Sequence, residues 1–279
     1  MTLEVPGAGE LDGCLVIDKP AGWTSHDVVA RVRRLLGTRK VGHAGTLDPD
    51  ATGVLLLGIG RATRLLRFAT MLTKTYVGEV VLGVATNTLD ASGEVTERCD
   101  MADVDLEAVR MAALSLTGRL EQIPPMVSAV KVGGRRLHEL AREGVEIERQ
   151  PRPVEVHRYD VFATSSPLVF SVMVECSSGT YVRVLAADLG HRLGGVAHLR
   201  TLRRVAVGSF RDVEAVNLDD VTPAAVRPSL ELVRDMPSAA VEGDVLDAIG
   251  HGRFVERARL QVAGDGPWAL VGPDGRLVA

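Results

Sequence analysis

The chain has 279 residues, 46% apolar and 24% charged, ordinary values for a globular protein with a sizeable core. No apolar run approaches the ~20 residues that span a bilayer, and residues 1–13 are acidic without an apolar stretch, so neither a membrane span nor a secretory signal is expected. Cys14, Cys99 and Cys176 lie far apart with no C-x-x-C pair, which argues against a disulfide framework or a structural zinc and makes a cytoplasmic protein the simplest expectation.

Residues 14–18 read as a short apolar strand and 19–24 as a turn. Ser25 stands where a helix cap is needed, with Asp27 favourable in the first turn. Val28, Val29, Val32, Leu35 and Leu36 then share one helical face, and Gly37 follows at the C′ position. Three glycines and Pro49 between residues 42 and 53 rule out a helix or strand interior, so a loop is expected there. It runs into Val54, Leu55, Leu56 and Leu57, a buried strand by its composition. A loop on the end of a core strand is a common place for an active site, and Asp48 is the residue this one presents.

Residues 61–68 predict a short basic helix, and 74–84 alternate as a strand carrying Tyr76. A polar loop over 86–93 and a strand near 94–97 that pairs back come next, then a helix over 105–116 closed by Gly118. Pro124 and Pro125 break the chain before a strand at 128–132, a tight turn at Gly133 and Gly134, and a short helix over 136–143. Residues 145–153 read as a charged, exposed segment. Residues 154–164 and 168–176 alternate as a long hairpin, 181–193 as a helix and 196–207 as an Arg-rich strand; 218–227 is an acidic helix or loop. After about residue 229, short strands at 254–262, 268–271 and 276–278, punctuated by Gly, Pro and Asp, predict a small β domain. Antiparallel strands with interspersed helices make the chain α+β.

The chemistry narrows by elimination. His43 and Asp48 have no third partner at metal-ligand spacing. Gly58-Ile59-Gly60 lacks the last position of a dinucleotide fingerprint, and there is neither a phosphate-binding P-loop nor a G-x-S-x-G nucleophile elbow. A lone aspartate remains, suited to act as nucleophile or general base. Asp50, the nearest second carboxylate, is set apart by Pro49 and need not face the same site. On spacing alone the turn reading of Asp48 is ahead, because Asp-Pro commonly starts turns. His43, Tyr76, Tyr181, Arg183 and Leu202 are each ordinary taken singly: a loop histidine, strand packing, a helix anchor, a surface cation and a core leucine.

Together they are specific. Lys19, Pro20, Gly22, Thr24 and Ser25; Gly42, His43, Gly45, Thr46, Leu47, Asp48, Pro49, Ala51, Thr52 and Gly53; and Lys74 with Tyr76 stand in the order and spacing of three motifs. Pro124, Pro125, Ser128, Ala129, Lys131, Gly134, Arg136 and Leu137 follow, then Ser178, Gly179, Thr180, Tyr181 and Arg183, then Leu202, Arg203 and Arg204. This series, from about residue 13 to 210, resembles the TruB family of tRNA pseudouridine synthases. The last fifty residues are similar to the small PUA-like domain of some members.

The resemblance implies a pseudouridine synthase fold with a mixed, mainly antiparallel central sheet. Its catalytic domain would span residues 1–229, with 124–153 as an insertion closing over the RNA, and a PUA-like domain would span 230–279. It implies conversion of the uridine at position 55, in the T-loop of tRNA, to pseudouridine, without cofactor or metal. Asp48 matches the catalytic aspartate and His43 the histidine that stacks in place of the displaced nucleotide. Tyr76 matches the aromatic on the flipped base and Arg183 the cation that pairs with the aspartate. Tyr181 and Leu202 match other pocket contacts, and Lys19 a motif lysine expected to be structural.

These roles fit the physics. A stacked base must be flipped out at a cost of a few kcal/mol, and a ring stacked on it recovers roughly 1–3 kcal/mol. The partner is the T-arm of tRNA. Although the net charge is −4, residues 19–67 carry nine Lys/Arg against three Asp/Glu and 183–211 six against one, a polyanion-binding distribution. Residues 84–110 and 212–247 are acidic instead. His138 stands where the family often has tyrosine. A monomer is expected, with no membrane association. The rival readings are a tRNA-binding folding factor whose chemistry is secondary or lost, and a different RNA target, as in the dyskerin branch of the family. Retention of Asp48, Tyr76 and Arg183 favours the enzyme, because binding alone needs no ionised carboxylate beside phosphates.

Overall fold

The computed structural model describes residues 11–126, 128 and 147–279, and the backbone of 131–132 and 135–136. The turn at Gly133 and Gly134, residues 137–143 of the expected helix and His138 lie outside the described residues, while Arg136, the expected start of that helix, is in a strand.

The chain opens with strand β1 (Gly13–Lys19) and helix α1 (Ser25–Leu35). Thr24, not Ser25, caps α1: its hydroxyl accepts from the Asp27 N–H while the Asp27 carboxylate accepts from the Thr24 N–H. The hydroxyls of Thr24 and Ser25 are adjacent in sequence, and only the one outside the first turn can reach N3. Strand β2 (Val41–Ala44) is a correction to the loop expected from residue 42: it pairs antiparallel with β3 (Thr52–Ile59), Gly42 opposite Gly58 and His43 opposite Leu57. Gly42 is tolerated in the strand because a Cβ there would lie 3.0 Å from Leu66 Cδ1, so close packing needs its hydrogen. The loop proper is 45–51.

A 3₁₀ turn (Gly60–Leu65) and α2 (Leu66–Met71) follow, then β4 (Lys74–Leu82), β5 (Val84–Thr86) and β6 (Val95–Arg98), which pairs back on β5. Next come α3 (Leu106–Leu114), edge strand β7 (Gly118–Gln122) and the small hairpin β8 (Lys131–Val132) and β9 (Arg135–Arg136). The long hairpin is β10 (Arg152–Ala163) with β11 (Val169–Cys176), followed by α4 (Val182–Arg192) and β12 (Ala197–Val207). Strands β13 (Phe210–Arg211) and β14 (Val216–Asn217) complete a ten-stranded sheet. Its order is β14-β1-β3-β12-β4-β11-β10-β7, with β2 added to β3 and β13 to β12. Only β1–β14 and β3–β12 are parallel, so the sheet is mixed and mainly antiparallel, as expected.

The unbroken apolar run of β3 is explained by burial on both faces. Leu55, Leu57 and Ile59 pack with Val28, Val29 and Val32 of α1, whereas Val54 and Leu56 pack with Leu66 and Ala69 of α2. Strand β4 sends Tyr76, Val80 and Leu82 into a third cluster under α3 and α4, with Val109, Leu185 and Leu189. The middle of the sheet joins these halves. Strand β12 lies between β3 and β4, so Arg204 is opposite Gly53 on one side and Tyr76 on the other. Gly53 has φ +99°, and a Cβ there would sit 2.2 Å from the Arg204 carbonyl oxygen; only glycine lets the strands meet.

Residues 218–227 form two 3₁₀ turns (Leu218–Asp220 and Pro223–Ala225). The C-terminal expectations need correction. Residues 254–262 hold a 3₁₀ turn (Arg257–Arg259) and no strand, and helix α5 (Gly243–Gly250) was not anticipated. The strands there are β15 (Ser238–Ala240) and β16 (Ala269–Val271), paired parallel, with Leu277 bridging to Val271. Phe254 is 90% exposed, so the apolar alternation of that stretch has no core to face.

Candidate active site

The start of β3, the start of β4 and the ends of β11 and β12 meet at one end of the sheet: Lys74 is opposite both Cys176 and Val207, and Thr52 is opposite Arg203. The 45–51 loop lies over this end, immediately before β3. Helix α4 begins six residues after β11, so Tyr181 and Arg183 reach the same place.

The loop is held from below by the turn after β1. Lys19 is wholly buried, and its ammonium donates to the carbonyls of Pro20 (2.9 Å), Trp23 (2.6 Å) and Pro49 (2.8 Å). Burial pulls this ammonium down to about 8, against the opposing pull of the Asp50 and Asp48 carboxylates. The Gly22 N–H also donates to Pro49 O at 2.9 Å. On the other flank, the Ser25 hydroxyl accepts from the Leu47 N–H at 2.9 Å and donates to the Leu47 carbonyl at 3.3 Å.

Asp48 stands between those anchors. The Arg183 guanidinium grips it through two nitrogens, Nε to Oδ2 at 2.9 Å and Nη2 to Oδ1 at 3.2 Å. The remaining nitrogen, Nη1, reaches Asp90 Oδ2 at 3.3 Å and donates to the Thr88 carbonyl at 3.1 Å. The Arg183 side chain is only 4% exposed, whereas that of Asp48 is 42% exposed, so the cation is fixed and the carboxylate faces open space. Burial pushes the Asp48 carboxyl up from its ordinary value, the Arg183 charge pulls it back down, and the Asp90 charge pushes up again; the balance is upward. Asp50, by contrast, is exposed and is not paired with Asp48.

A pocket of about 260 Å³ opens beside Asp48, with Tyr76, Tyr181, Arg183 and Leu202 in its walls and Lys74 and Arg204 deeper in. Tyr76 is nearly buried, and burial raises its phenol above the ordinary value while the Arg204 charge opposes. Burial likewise raises Tyr181. A buried amide fixes the Tyr181 backbone: Gln122 Oε1 accepts from its N–H at 2.9 Å, and Gln122 Nε2 donates to its carbonyl at 3.4 Å. A smaller pocket of about 180 Å³, reached past Pro49, Asp90 and Arg200, shares Asp48, Arg183 and Leu202 with the first. The ion pair is thus a partition between two spaces. His43 lines neither. It lies half-buried on β2, its ring edge-on to that of His26 with centroids 5.4 Å apart.

Asp90, Lys74, Arg204 and Gln122 have no role assigned from the sequence, and Ser25 has only that of a helix cap. Lys74 is 4% exposed and donates to the carbonyls of Thr70 and Leu72 at 2.5 Å each, closing the C-terminal end of α2. Arg204 is 1% exposed and donates to Val54 O (2.7 Å) and Gly45 O (3.1 Å), tying β12 to the loop. Lys74 does carry a signal, since it falls on the inward parity of β4 shared by Tyr76, Val80 and Leu82. Asp90 carries none, because it reads as one polar residue of a polar loop. Among the described residues no group of three or more His, Cys, Asp or Glu is placed to hold a metal ion, and no helix is long and apolar enough to cross a membrane.

Comparison with known proteins identifies the family. The family model for the N-terminal domain of the TruB family pseudouridylate synthases matches residues 33–182, and that for the tRNA pseudouridylate synthase B C-terminal domain matches 183–236. The chain belongs to the TruB family. It is 47% identical to a tRNA pseudouridine synthase B of Rhodococcus jostii, over 99% of this chain and 92% of that one. To the protein of the same name from Thermobifida fusca it is 47% identical over 96% and 93%. Among solved structures, a Cbf5-Nop10-Gar1 complex contains a chain of the same fold, with a TM-score of 0.75 and 26% identity over 95% of this chain and 76% of that one. An H/ACA RNP bound to a substrate RNA contains another, with a TM-score of 0.74. As a TruB-family pseudouridine synthase, the protein is an isomerase that moves a uracil from an N–C to a C–C glycosidic bond.

Proposed function

We propose that the protein isomerises uridine 55 in the T-loop of tRNA to pseudouridine, with Asp48 as the catalytic residue. The observation that carries this reading is the two-point Arg183–Asp48 pair beside a pocket of about 260 Å³ walled by Tyr76, Tyr181 and Leu202. The base flips out of its stack into the pocket and lies against Tyr76. Ionised Asp48 then attacks the ring or the sugar, and the bond it forms breaks again to return the free carboxylate before the product leaves. The N1–C1′ bond breaks, the uracil turns, and C5 bonds to C1′. A proton leaves C5 and one is gained at N1, so atoms and electrons balance within the substrate. A guanidinium that is already buried costs no reorganisation when the carboxylate reacts.

The tRNA partner is supported by the relatives' shared activity and by the exposed cations Arg33, Arg34, Arg39, Lys40, Arg61, Arg64 and Arg67 around β2 and α2. Arg61, Arg64 and Arg67 also border a groove of about 580 Å³ that includes Phe68 and Trp268, a surface suited to phosphates and a stacked base. His43, on the α1 side of the sheet with its ring against that of His26, takes the place of the displaced nucleotide. We further propose that residues 1–229 form the catalytic domain and 230–279 a small PUA-like appendage, and that the protein works in the cytoplasm as a monomer.

Tritium release from a uracil-C5-labelled tRNA transcript tests the assignment. Wild type is expected to release label and Asp48→Asn to release none while still binding tRNA. Release by both proteins, or by neither, refutes the role given to Asp48.

A further inference from the structure

We infer that Ser25 is a positioning residue for Asp48: its buried hydroxyl fixes the peptide that precedes the catalytic aspartate. The inference rests on the proposed role of Asp48.

Ser25 has 0% exposure, and burying a hydroxyl is costly unless both its hydrogen-bonding capacities are used. Helix α1 does not use them, because Thr24 and Asp27 form its capping box. Both go to one residue 22 positions away, the N–H and C=O of Leu47. The Leu47 side chain is itself 3% exposed in the cluster with Tyr76, Leu185 and Leu199, so its peptide is gripped on one side by packing and on the other by Ser25. On the far side of Asp48, Pro49 O is gripped by Lys19 Nζ and Gly22 N. The backbone is therefore clamped one residue before and one residue after the aspartate, and both clamps come from the same turn, 19–25. Between them Asp48 O accepts from Ala51 N at 3.1 Å, which closes the loop on itself.

Each clamp has a separate consequence. The Pro49 clamp involves a buried ammonium whose loss would disturb the whole turn. The Ser25 clamp is two neutral hydrogen bonds, so its loss leaves the turn charged and intact but frees the N-terminal side of the loop. The Asp48 carboxylate must meet a guanidinium that is itself fixed by Asp90 and Thr88. A shift of the loop would lengthen the 2.9 and 3.2 Å contacts, and a loss of aim by about 1 Å is enough to cost on the order of a hundredfold in rate. The carboxylate would also lose part of the charge that holds its proton off.

The test compares Ser25→Ala with Thr24→Ala, which removes the α1 cap, a hydroxyl bonded to Asp27 and not to Leu47. Single-turnover tritium release at saturating tRNA, its pH profile, tRNA binding and thermal unfolding are measured for both. Ser25→Ala is expected to slow turnover by tenfold or more, with tRNA affinity within twofold of wild type and the acid limb of the rate profile moved to higher pH. Thr24→Ala is expected to lower the melting temperature with turnover within twofold. Turnover of Ser25→Ala within twofold of wild type, an equal slowing by Thr24→Ala, or an unmoved acid limb overturns the inference. Should Ser25→Ala fail to fold, Ser25→Cys, which keeps the side-chain shape with a slightly larger atom that bonds weakly, carries the same expectation. Asp48→Asn in the same assay separates the two claims: if it remains active, the role of Asp48 has failed; if it is dead and Ser25→Ala is normal, only the clamp has.

Discussion

The Asp90–Arg183–Asp48 chain makes a prediction whose sign differs between its two ends. In the proposed mechanism turnover needs Asp48 ionised, so the acid limb of the rate profile follows its pKa. Burial lifts that pKa above the ordinary aspartate value, so activity is lost as pH falls through a point higher than an exposed aspartate would give. Arg183 is the largest influence pulling down, and Asp90 the largest charge pushing up. Two charges about 4 Å apart at an effective dielectric of 20 interact by ~4 kcal/mol. The Asp48 side chain is 42% exposed, so solvent screens much of this, leaving about 1–2 kcal/mol.

Arg183→Gln is therefore expected to move the acid limb to higher pH, besides slowing turnover. Asp90→Asn is expected to move it down by less, because Asp90 acts on Asp48 only at a distance and also competes for Arg183. The assay is single-turnover tritium release between pH 4 and 8 at saturating tRNA, so that binding does not enter. Limbs that move in the same direction, or an Arg183→Gln limb that does not move, would refute the electrostatic account. Stability has the opposite dependence. In the window between the ordinary and the raised pKa the folded state binds more protons at Asp48, so this residue's contribution to stability falls as pH rises through that window.

Three further outcomes follow from other parts of the molecule. Tyr76→Leu is expected to lower turnover far more than tRNA affinity, since the ring meets the base only after flipping; equal losses would make it a docking residue. Glu214 accepts from Arg234 (2.6 Å), Arg227 (2.5 Å) and the Arg211 N–H (2.7 Å), and the hydrogen bonds from Arg234 lead in drawing its carboxyl down to about 2. Its stabilisation is full above the ordinary value of 4.5 and is lost as pH falls toward 2, about 2–3 kcal/mol that urea titrations should show disappearing in Glu214→Gln. Gly53→Ala, which places a methyl 2.2 Å from the Arg204 carbonyl at φ +99°, should cost about 3 kcal/mol or more and depress activity by parting β3 from β12. A melting temperature within two degrees of wild type would contradict that close approach.

What could be read from the residues, and what could not, divides by physical cause. The long elements were legible because each has a single period and a single environment: the α1 stripe of Val28, Val29 and Val32, or the inward parity of β4. Strand β2 was not legible, because Gly42 ordinarily weakens a strand and is kept here to let Leu66 approach, a reason that exists only in three dimensions. The false strand at 254–262 came from alternation without a core to fill. At the site, the residues bearing unusual chemistry announced themselves through motif order, whereas those that hold them did not. Asp90, Gln122 and Ser25 are ordinary turn, strand and cap residues until the sheet places them beside Arg183, Tyr181 and Leu47. Ser25 shows why: as one of two adjacent hydroxyls at a helix start, its local spacing suited the cap that Thr24 provides, and a partner 22 residues away leaves no periodic trace. A loop that presents a charged side chain into a pocket borrows its rigidity from elsewhere in the chain, so the supporting residues are those whose sequence signal is weakest and whose removal should most change aim without abolishing the fold.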